Sequence, residues 1–401
     1  MPHSWQEIMQ QALQLRHQLH RQPELTWQEE NTSRLIRARL DQLGIAWRGC
    51  ADHGTVATLA PAAEGEHIGL RGDIDALPIE ELTDLPFRSE SPGCMHACGH
   101  DGHTAALWAT AAWLKAHEAR LPGPVTLLFQ PAEEGGHGAR HMIEAGALDG
   151  IERIYGWHNW PAIPWGQAVC PDGAVMSGNG TFHITLTGSG GHASQPELCR
   201  DPVLAGAAVT LALQQIVSRR LPPQSATVVS VTAFEAPSAA TVTPESARLQ
   251  GSIRLAQPEL RPVVNALIEQ IAQDTARGYG VTAQVETVKR YEATINHPGP
   301  GADYRRALEA ALGPDWQMQN LALPIMASED FSYYLNEIPG AFALIGMARE
   351  GRYQAPCHSP HYQFNDDLLP KVVEIFAHLT GAPLPAPTPQ PATQGDRHGS
   401  V

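Results

Sequence analysis

Apolar residues recur at helical spacing through residues 5–43, and the run breaks near Gln22-Pro23, so this stretch reads as two amphipathic helices. From there to about residue 175 short apolar runs alternate with helical stretches. HIGLRGD (67–73), PVTLLFQ (124–130) and RIYGWH (153–158) read as buried strands, and DGHTAALWATAAWLKAH (101–117) as a helix with Asp101 placed to cap it. Strands alternating with helices predict an α/β domain on a mostly parallel sheet.

The rhythm differs from about 178 to 291. TFHITLTG reads as a strand, DPVLAGAAVTLALQQIVSRR as a helix, ATVVSVTAFEA and ARLQGSIRLA as two strands. PELRPVVNALIEQIAQDTARGYG then gives a second helix and VTAQVETVKR a last strand. That β-α-β-β-α-β order predicts an inserted ferredoxin-like α+β domain over 178–291, leaving the α/β domain to be assembled from 1–177 and 292–381. In the resumed α/β pattern, LPIMASEDFSYYL holds a helix start capped by Ser328, AFALIGM (341–347) is a strand and KVVEIFAHLTG a helix. The Pro-rich polar tail, 382–401, is expected to be disordered.

Composition narrows the partners. A chain of 401 residues with 43% hydrophobic and 17% charged residues has the balance of a soluble globular protein. Net charge is −15 and no Lys/Arg-rich block occurs, which argues against nucleic acid or an anionic membrane as partner. No apolar run reaches the roughly 18–20 residues of a membrane span. The polar N-terminus is not a signal peptide, so a cytoplasmic location is expected. Without a secretory signal, the six cysteines argue against a disulfide framework. Cys50, Cys170 and Cys199 read as buried small apolar residues, whereas Cys94, Cys98 and Cys357 sit among histidines.

In MHACGHDGHTA (95–105), His96, Cys98 and His100 alternate, so an extended segment would point all three one way. Thiolate and imidazole suit zinc and its transition-series neighbours, although a Cys94/Cys98 redox pair is a competing reading. In LLFQPAEEGG (127–136) Glu133 and Glu134 follow a buried strand. One of two such carboxylates can hold a metal while the other takes a proton from water. Alone, an acidic pair is usually an exposed turn, but the carboxyl ends of strands are where open α/β sheets carry ligand sites. RGDIDALP (71–78) sets Asp73 and Asp75 beyond another strand, GWHNW (156–160) sets His158 at a third, and CHSPHYQFND (357–366) offers His358 and His361 after a fourth. Four strand ends delivering Asp, Cys/His, Glu and His to one crevice predict a metal site. In GSGGHASQP (188–196), His192 lies in a Gly-rich turn whose local reading is a flexible, solvated histidine.

Taken in order from about residue 10 to 380, RGDIDALPIEE, MHACGHDGHTA, FQPAEEGGHGA, GSGGHAS, SEDF and CHSPHYQFND resemble one branch of the aminoacylase/carboxypeptidase metallohydrolases. It is the hippurate hydrolase branch, which includes the plant indole-acetyl-amino-acid hydrolases. The resemblance implies a zinc-peptidase-like α/β domain holding two divalent metal ions, zinc or manganese, with a ferredoxin-like lid that usually mediates homodimerisation. Matched by position, the ligands would be Cys98, His100, Glu134, His158 and His358, leaving out His96, His103 and His361. Glu133 stands in the place of the general base, and Asp75 in that of a carboxylate orienting a ligand. His192 resembles the lid histidine that stabilises the oxyanion, in some relatives from the partner subunit, and Arg254 a lid arginine that meets the substrate carboxylate. The chain departs from the family at Thr241-Val242-Thr243-Pro244, where Asn-Val-Ile-Pro is typical, so Thr241 keeps a hydroxyl but loses an amide donor at a substrate-binding position.

The activity this implies is hydrolysis of a small N-acyl amino acid, foremost an N-acetyl one, to a carboxylate and a free amino acid. YQAPCHSPHYQFNDDLLP also resembles deacetylases of N-acetyl-diaminobutyrate. Competing readings are a dipeptidase or carboxypeptidase with the same centre, a silent metal-binding paralogue, and a thiol redox protein using Cys94 and Cys98. An intact Glu133 beside a full ligand set counts against silence.

Overall fold

A computed structural model describes residues 4–385. Ser4 opens the first helix, Trp5–Arg21, with a capping box: its hydroxyl accepts from Glu7 N (3.2 Å) and the Glu7 carboxylate accepts from Ser4 N (3.0 Å). Ile8, Ala12, Leu15 and Leu19 form the buried stripe of this helix, which packs on the helix His100–Ala116.

The larger sheet has seven strands in the order Trp47–Cys50, Gly54–Leu59, Val125–Gln130, Ile68–Asp73, Arg153–Pro164, Gly340–Ala348 and Ala168–Val169. The four middle strands run parallel, and antiparallel strands flank them on both sides. Side chains alternate between two apolar clusters, as the pleat requires. Leu127, Phe129, Ala341, Ala343 and Ile345 belong to one cluster, and Leu128, Phe342 and Leu344 to the other. A sheet covered on both faces explains why Ile68–Asp73 and Val125–Gln130 are buried along their whole length and read as mostly apolar runs, the first interrupted by Arg71.

The segment between these strands builds its own antiparallel sheet, ordered Thr227–Glu235, Ser246–Leu255, Gly178–Thr187 and Thr282–Lys289. Helices Pro202–Leu213 and Arg261–Gly278 complete a ferredoxin-like arrangement, around a core that includes Phe182, Ile184, Leu186, Leu249 and Ile268. Asp201 caps the first of these helices by accepting from Val203 N (2.8 Å) and Leu204 N (3.2 Å).

Two caps differ from the sequence expectation. The 100–116 helix starts one residue earlier than expected, with Gly99 at its N-cap, and Asp101 turns inward to Arg16 (3.1 Å) and His20 (2.8 Å). Burial of that ion network takes the carboxylate that would otherwise have capped the helix. Ser328 caps nothing either, because the helix after it begins at Ser332 and Ser328 lies in a crevice wall. At the other end Trp113 Nε1 donates to Pro383 O (2.7 Å) and Ala382 is buried, so the start of the tail expected to be disordered packs on the domain, while residues 386–401 lie outside the described residues. No described helix is long and apolar enough to cross a membrane. All six cysteines are free thiols.

Candidate metal centre

The crevice opens where the parallel strands Ile68–Asp73 and Val125–Gln130 end. Leu70 stands opposite Tyr155, and extending that register sets His158 level with Asp73, although His158 itself is midway along a longer strand. Gly99 makes the next turn at φ 94°, a left-handed conformation. A Cβ there would meet Asn159 Oδ1 at 2.3 Å and the Tyr362 hydroxyl at 2.5 Å, so only glycine lets the chain pass between Cys98 and His100. Glu133 and Glu134 lie on the loop beyond Gln130, flanked by Ala132 and Gly135 at positive φ, and His358 is itself at φ 68°. Such backbone strain gathers where side chains are held for function.

The potential ligand atoms converge. Cys98 Sγ is 3.3 Å from His158 Nε2, and His358 Nε2 is 3.2 Å from Glu134 Oε1. Cys98, His100 and His158 form one group with ligand atoms within 4.8 Å of one another, and Cys98, Glu134 and His358 form a second. Buried His100 Nε2 has no hydrogen-bond partner, and Glu134 Oε1 makes no hydrogen bond despite its nearness to His358. Orphaned polar atoms this deep are costly unless a cation satisfies them.

Electrostatics agree. Burial opposes a charge on His100, but Asp73, the hydrogen bond and charge of Asp75, and Glu134 outweigh it and lift the imidazole to about 10. The carboxylates here call for positive charge. Burial, then His103, holds His158 well below its ordinary value, as a neutral ligand. The Cys98 thiol is pushed well up by its hydrogen bond with Cys357 and then by burial, so a thiolate here also needs a cation. Sulfur, imidazole and carboxylate donors in two overlapping groups fit a pair of divalent ions.

Neighbouring residues fix the rings. His100 Nδ1 is 2.9 Å from Asp75 O and 3.2 Å from Asp75 Oδ1, while Asp75 Oδ2 accepts from Glu134 N and from Thr26 Oγ1, both at 2.9 Å. His158 Nδ1 donates to Asn159 O (2.6 Å), directing Nε2 inward. His103 spends both ring nitrogens, on Asp73 (2.5 Å) and Asn159 (2.8 Å). His96 belongs to none of the candidate donor groups among the described residues; its ring is buried 6.5 Å from that of His20. His361 is exposed.

Glu133 is buried, with its carboxyl held well above the ordinary range by burial and then by Glu329, Glu134 and Asp330. Behind it, buried Arg71 reaches Asp73 (2.6 Å), Glu329 (2.9 Å) and Asp330 (2.9 Å). Arg71, Glu329 and Asp330 received no role from the sequence, although a charge inside an otherwise apolar strand was the available signal.

A cavity of about 480 Å³ is lined by Cys98, Glu133, Glu134, His158 and His358 on one side and by Asn179, Arg254, Arg290 and Tyr291 on the other. Arg254 stands opposite Asn179 in register, and Arg290 N donates to Asn179 O (3.1 Å). Burial and then the charge of Arg290 lower the Arg254 pKa, with no carboxylate among the groups acting on it. Tyr291 clasps the Glu133 loop by donating to Glu133 O (2.5 Å) and accepting from Gly135 N (2.9 Å). Sequence reading missed Asn179, Arg290 and Tyr291, which become neighbours of the loop only through strand pairing. His192 and Thr241 do not line this cavity. Both are exposed on a two-stranded ribbon in which His192 pairs with Val242 and Ala193 N donates to Thr241 O (2.9 Å).

Comparison with known proteins places this geometry in context. The chain is 36% identical over 370 residues to the IAA-amino acid hydrolase ILR1-like 5 of Arabidopsis thaliana, covering 91% of this chain and 85% of that protein. It is 36% identical to an N-acetylcysteine deacetylase of Bacillus subtilis, covering 92% and 95%. The crystal structure of the Bacillus subtilis YXEP protein, a dinuclear metal binding peptidase, is similar with a TM-score of 0.80 and 31% identity, covering 94% of this chain and 98% of that one. The model of peptidase family M20/M25/M40 matches residues 69–381. The chain therefore belongs to peptidase family M20/M25/M40.

Proposed function

We propose that the crevice hydrolyses the amide bond of an N-acyl amino acid, foremost an N-acetyl one, to a carboxylate and a free amino acid. Cys98, His100, Glu134, His158 and His358 would hold two divalent ions, zinc or manganese. The observation that carries this reading is the place of Glu133: a buried carboxyl of raised pKa, next in the chain to Glu134 and facing the donor cluster. Relatives named for hydrolysing IAA-amino acids and deacetylating N-acetylcysteine support the substrate class.

Bound ions would supply Lewis acidity toward the amide carbonyl and toward water. Glu133, adjacent to the donor cluster, takes the water proton on its carboxylate and passes it to the departing amine. Asp75 keeps His100 turned with Nε2 toward the centre. Arg254, with Arg290 beside it, receives the carboxylate of the amino acid.

His192 is assigned to the oxyanion of a partner subunit's crevice, and Thr241 to substrate binding beside it. Their exposed position on one ribbon supports a role across an interface. Segment 178–291 acts as the lid of a homodimer, a reading supported by the exposure of Leu204, Leu211 and Phe234 within it. Six unpaired thiols support a cytoplasmic setting. A panel of N-acetyl, N-benzoyl and indole-acetyl amino acids, assayed for amino-acid release by the zinc- or manganese-loaded protein, tests the assignment. Release from one or more supports it, and release from none, with dipeptides cleaved instead, sinks it.

A further inference from the structure

We propose that Cys98 and Cys357 form an oxidisable dithiol, whose closure to a disulfide withdraws Cys98 from the metal centre. The consequence for the metal rests on the reading of Cys98 as a ligand; the pairing of the two sulfurs does not.

The backbone sets them together. His358 N donates to Ala97 O at 2.8 Å, so the peptide after Cys357 is hydrogen-bonded to the peptide before Cys98. The two cysteines therefore flank one backbone hydrogen bond, and a disulfide needs Cα atoms only within roughly 4.4–6.8 Å of each other. The side chains follow: the Cys357 thiol lies near enough to act on the Cys98 thiol, and both line the crevice. Cys357 is only half-buried, and Asn159 Nδ2 is 3.9 Å from its sulfur. Cys94, the partner that proximity in sequence suggests, turns its sulfur to Pro23 O (3.5 Å) and does not line the crevice. The remaining thiols also face carbonyls elsewhere: Cys50 that of Met142, Cys199 that of Gln195 and Cys170 that of Gly301.

With hydrogen peroxide as oxidant the chemistry balances. The Cys357 sulfur takes one peroxide oxygen, giving a sulfenic acid and water. The Cys98 sulfur then attacks the Cys357 sulfur, the S–O bond breaks, the S–S bond forms, and hydroxide leaves to become water on protonation. A Cys98 sulfur in a disulfide is no longer a thiolate donor, so the ions lose a ligand shared by both donor groups. Closure also protects Cys98 from irreversible sulfinic acid, which makes the loss recoverable.

The test uses the full-length metal-loaded enzyme, with and without a chelator, exposed to hydrogen peroxide. Non-reducing peptide mass spectrometry is expected to find the Cys98 and Cys357 peptides joined, lighter by two hydrogens than their sum. Bound metal should fall in step, and dithiothreitol followed by zinc or manganese should restore it. In Cys357→Ser the cross-link is absent and peroxide loss of metal is not reversed by dithiothreitol. Absence of the cross-link in both arms, a cross-link through Cys94, or equal recovery in Cys357→Ser overturns the proposal. So does a cross-link that leaves bound metal unchanged; hydrolysis would then persist, and the assignment of the crevice as an amidohydrolase site would stand apart from that failure.

Discussion

Asp75 holds His100 twice, through its carbonyl oxygen at 2.9 Å and its carboxylate at 3.2 Å from His100 Nδ1, and with its other carboxylate oxygen it accepts from Glu134 N. One residue thereby orients two proposed ligands. Asp75→Ala should weaken metal binding about 10–100-fold, the usual cost of losing such a support. Competition with a zinc chelator measures this, and wild-type affinity in the variant would reduce Asp75 to a structural residue.

Glu133 and Glu134 are adjacent but assigned different work. Glu133→Gln should lower kcat by roughly 10²–10⁴-fold, the typical worth of a general base, while metal content stays near that of wild type. Elemental analysis beside steady-state kinetics separates the cases. Loss of metal in this variant would make Glu133 a ligand.

Arg254 faces the centre with no carboxylate acting on it. A hydrogen bond to a charged group contributes about 1.5–3 kcal/mol, so Arg254→Ala should raise KM for an N-acetyl amino acid by roughly 10–100-fold. The same substitution should leave KM for the matching carboxamide nearly unchanged. An equal effect on both substrates would remove the carboxylate from the assignment.

Much of this was legible in the sequence, and the reasons differ by element. The buried strands Val125–Gln130 and Ile68–Asp73 announced themselves as apolar runs because both faces of the sheet are covered. The proposed donors Cys98, His100, Glu134 and His358 sit in short dense strings beyond strands, whereas His158 was expected at a strand end and lies midway along Arg153–Pro164. Asp101 was misread as a cap because its true partners, Arg16 and His20, are about eighty residues away in the chain. Arg290 and Tyr291 were invisible for the same reason: the clasp on Gly135 exists only once two sheets meet. No local pattern encodes such contacts.

The Asp101–His20 pair also makes stability depend on pH. Burial opposes a charge on His20, but the charge of Asp101 and the hydrogen bonds that His20 donates to Asp101 and Glu81 outweigh it and raise the imidazole from 6.5 to about 9. A raised folded value means that the contribution is complete below pH 6.5 and is lost as pH climbs through about 9. Asp101, for which burial is outweighed by the charge of His20, is held far below its ordinary value, so its contribution fails only in acid. The His20 contribution corresponds to up to roughly 3 kcal/mol. Denaturant unfolding of the wild type from pH 6.5 to 9, minus that of His20→Gln, should show this decline. Subtraction removes other groups titrating there, such as Glu29, raised to about 8 chiefly by burial and Asp75. Parallel curves for the two proteins would contradict the ion pair.

The central claim is that metal held by Cys98, His100, Glu134, His158 and His358 drives amide hydrolysis, and chelation followed by metal restoration tests it most directly. Release of the amino acid from an N-acetyl amino acid should stop when the ions are stripped and return on adding zinc or manganese, with about two ions bound per chain, one for each of the two donor groups that share Cys98. Hydrolysis that continues unchanged in the stripped protein would contradict the account.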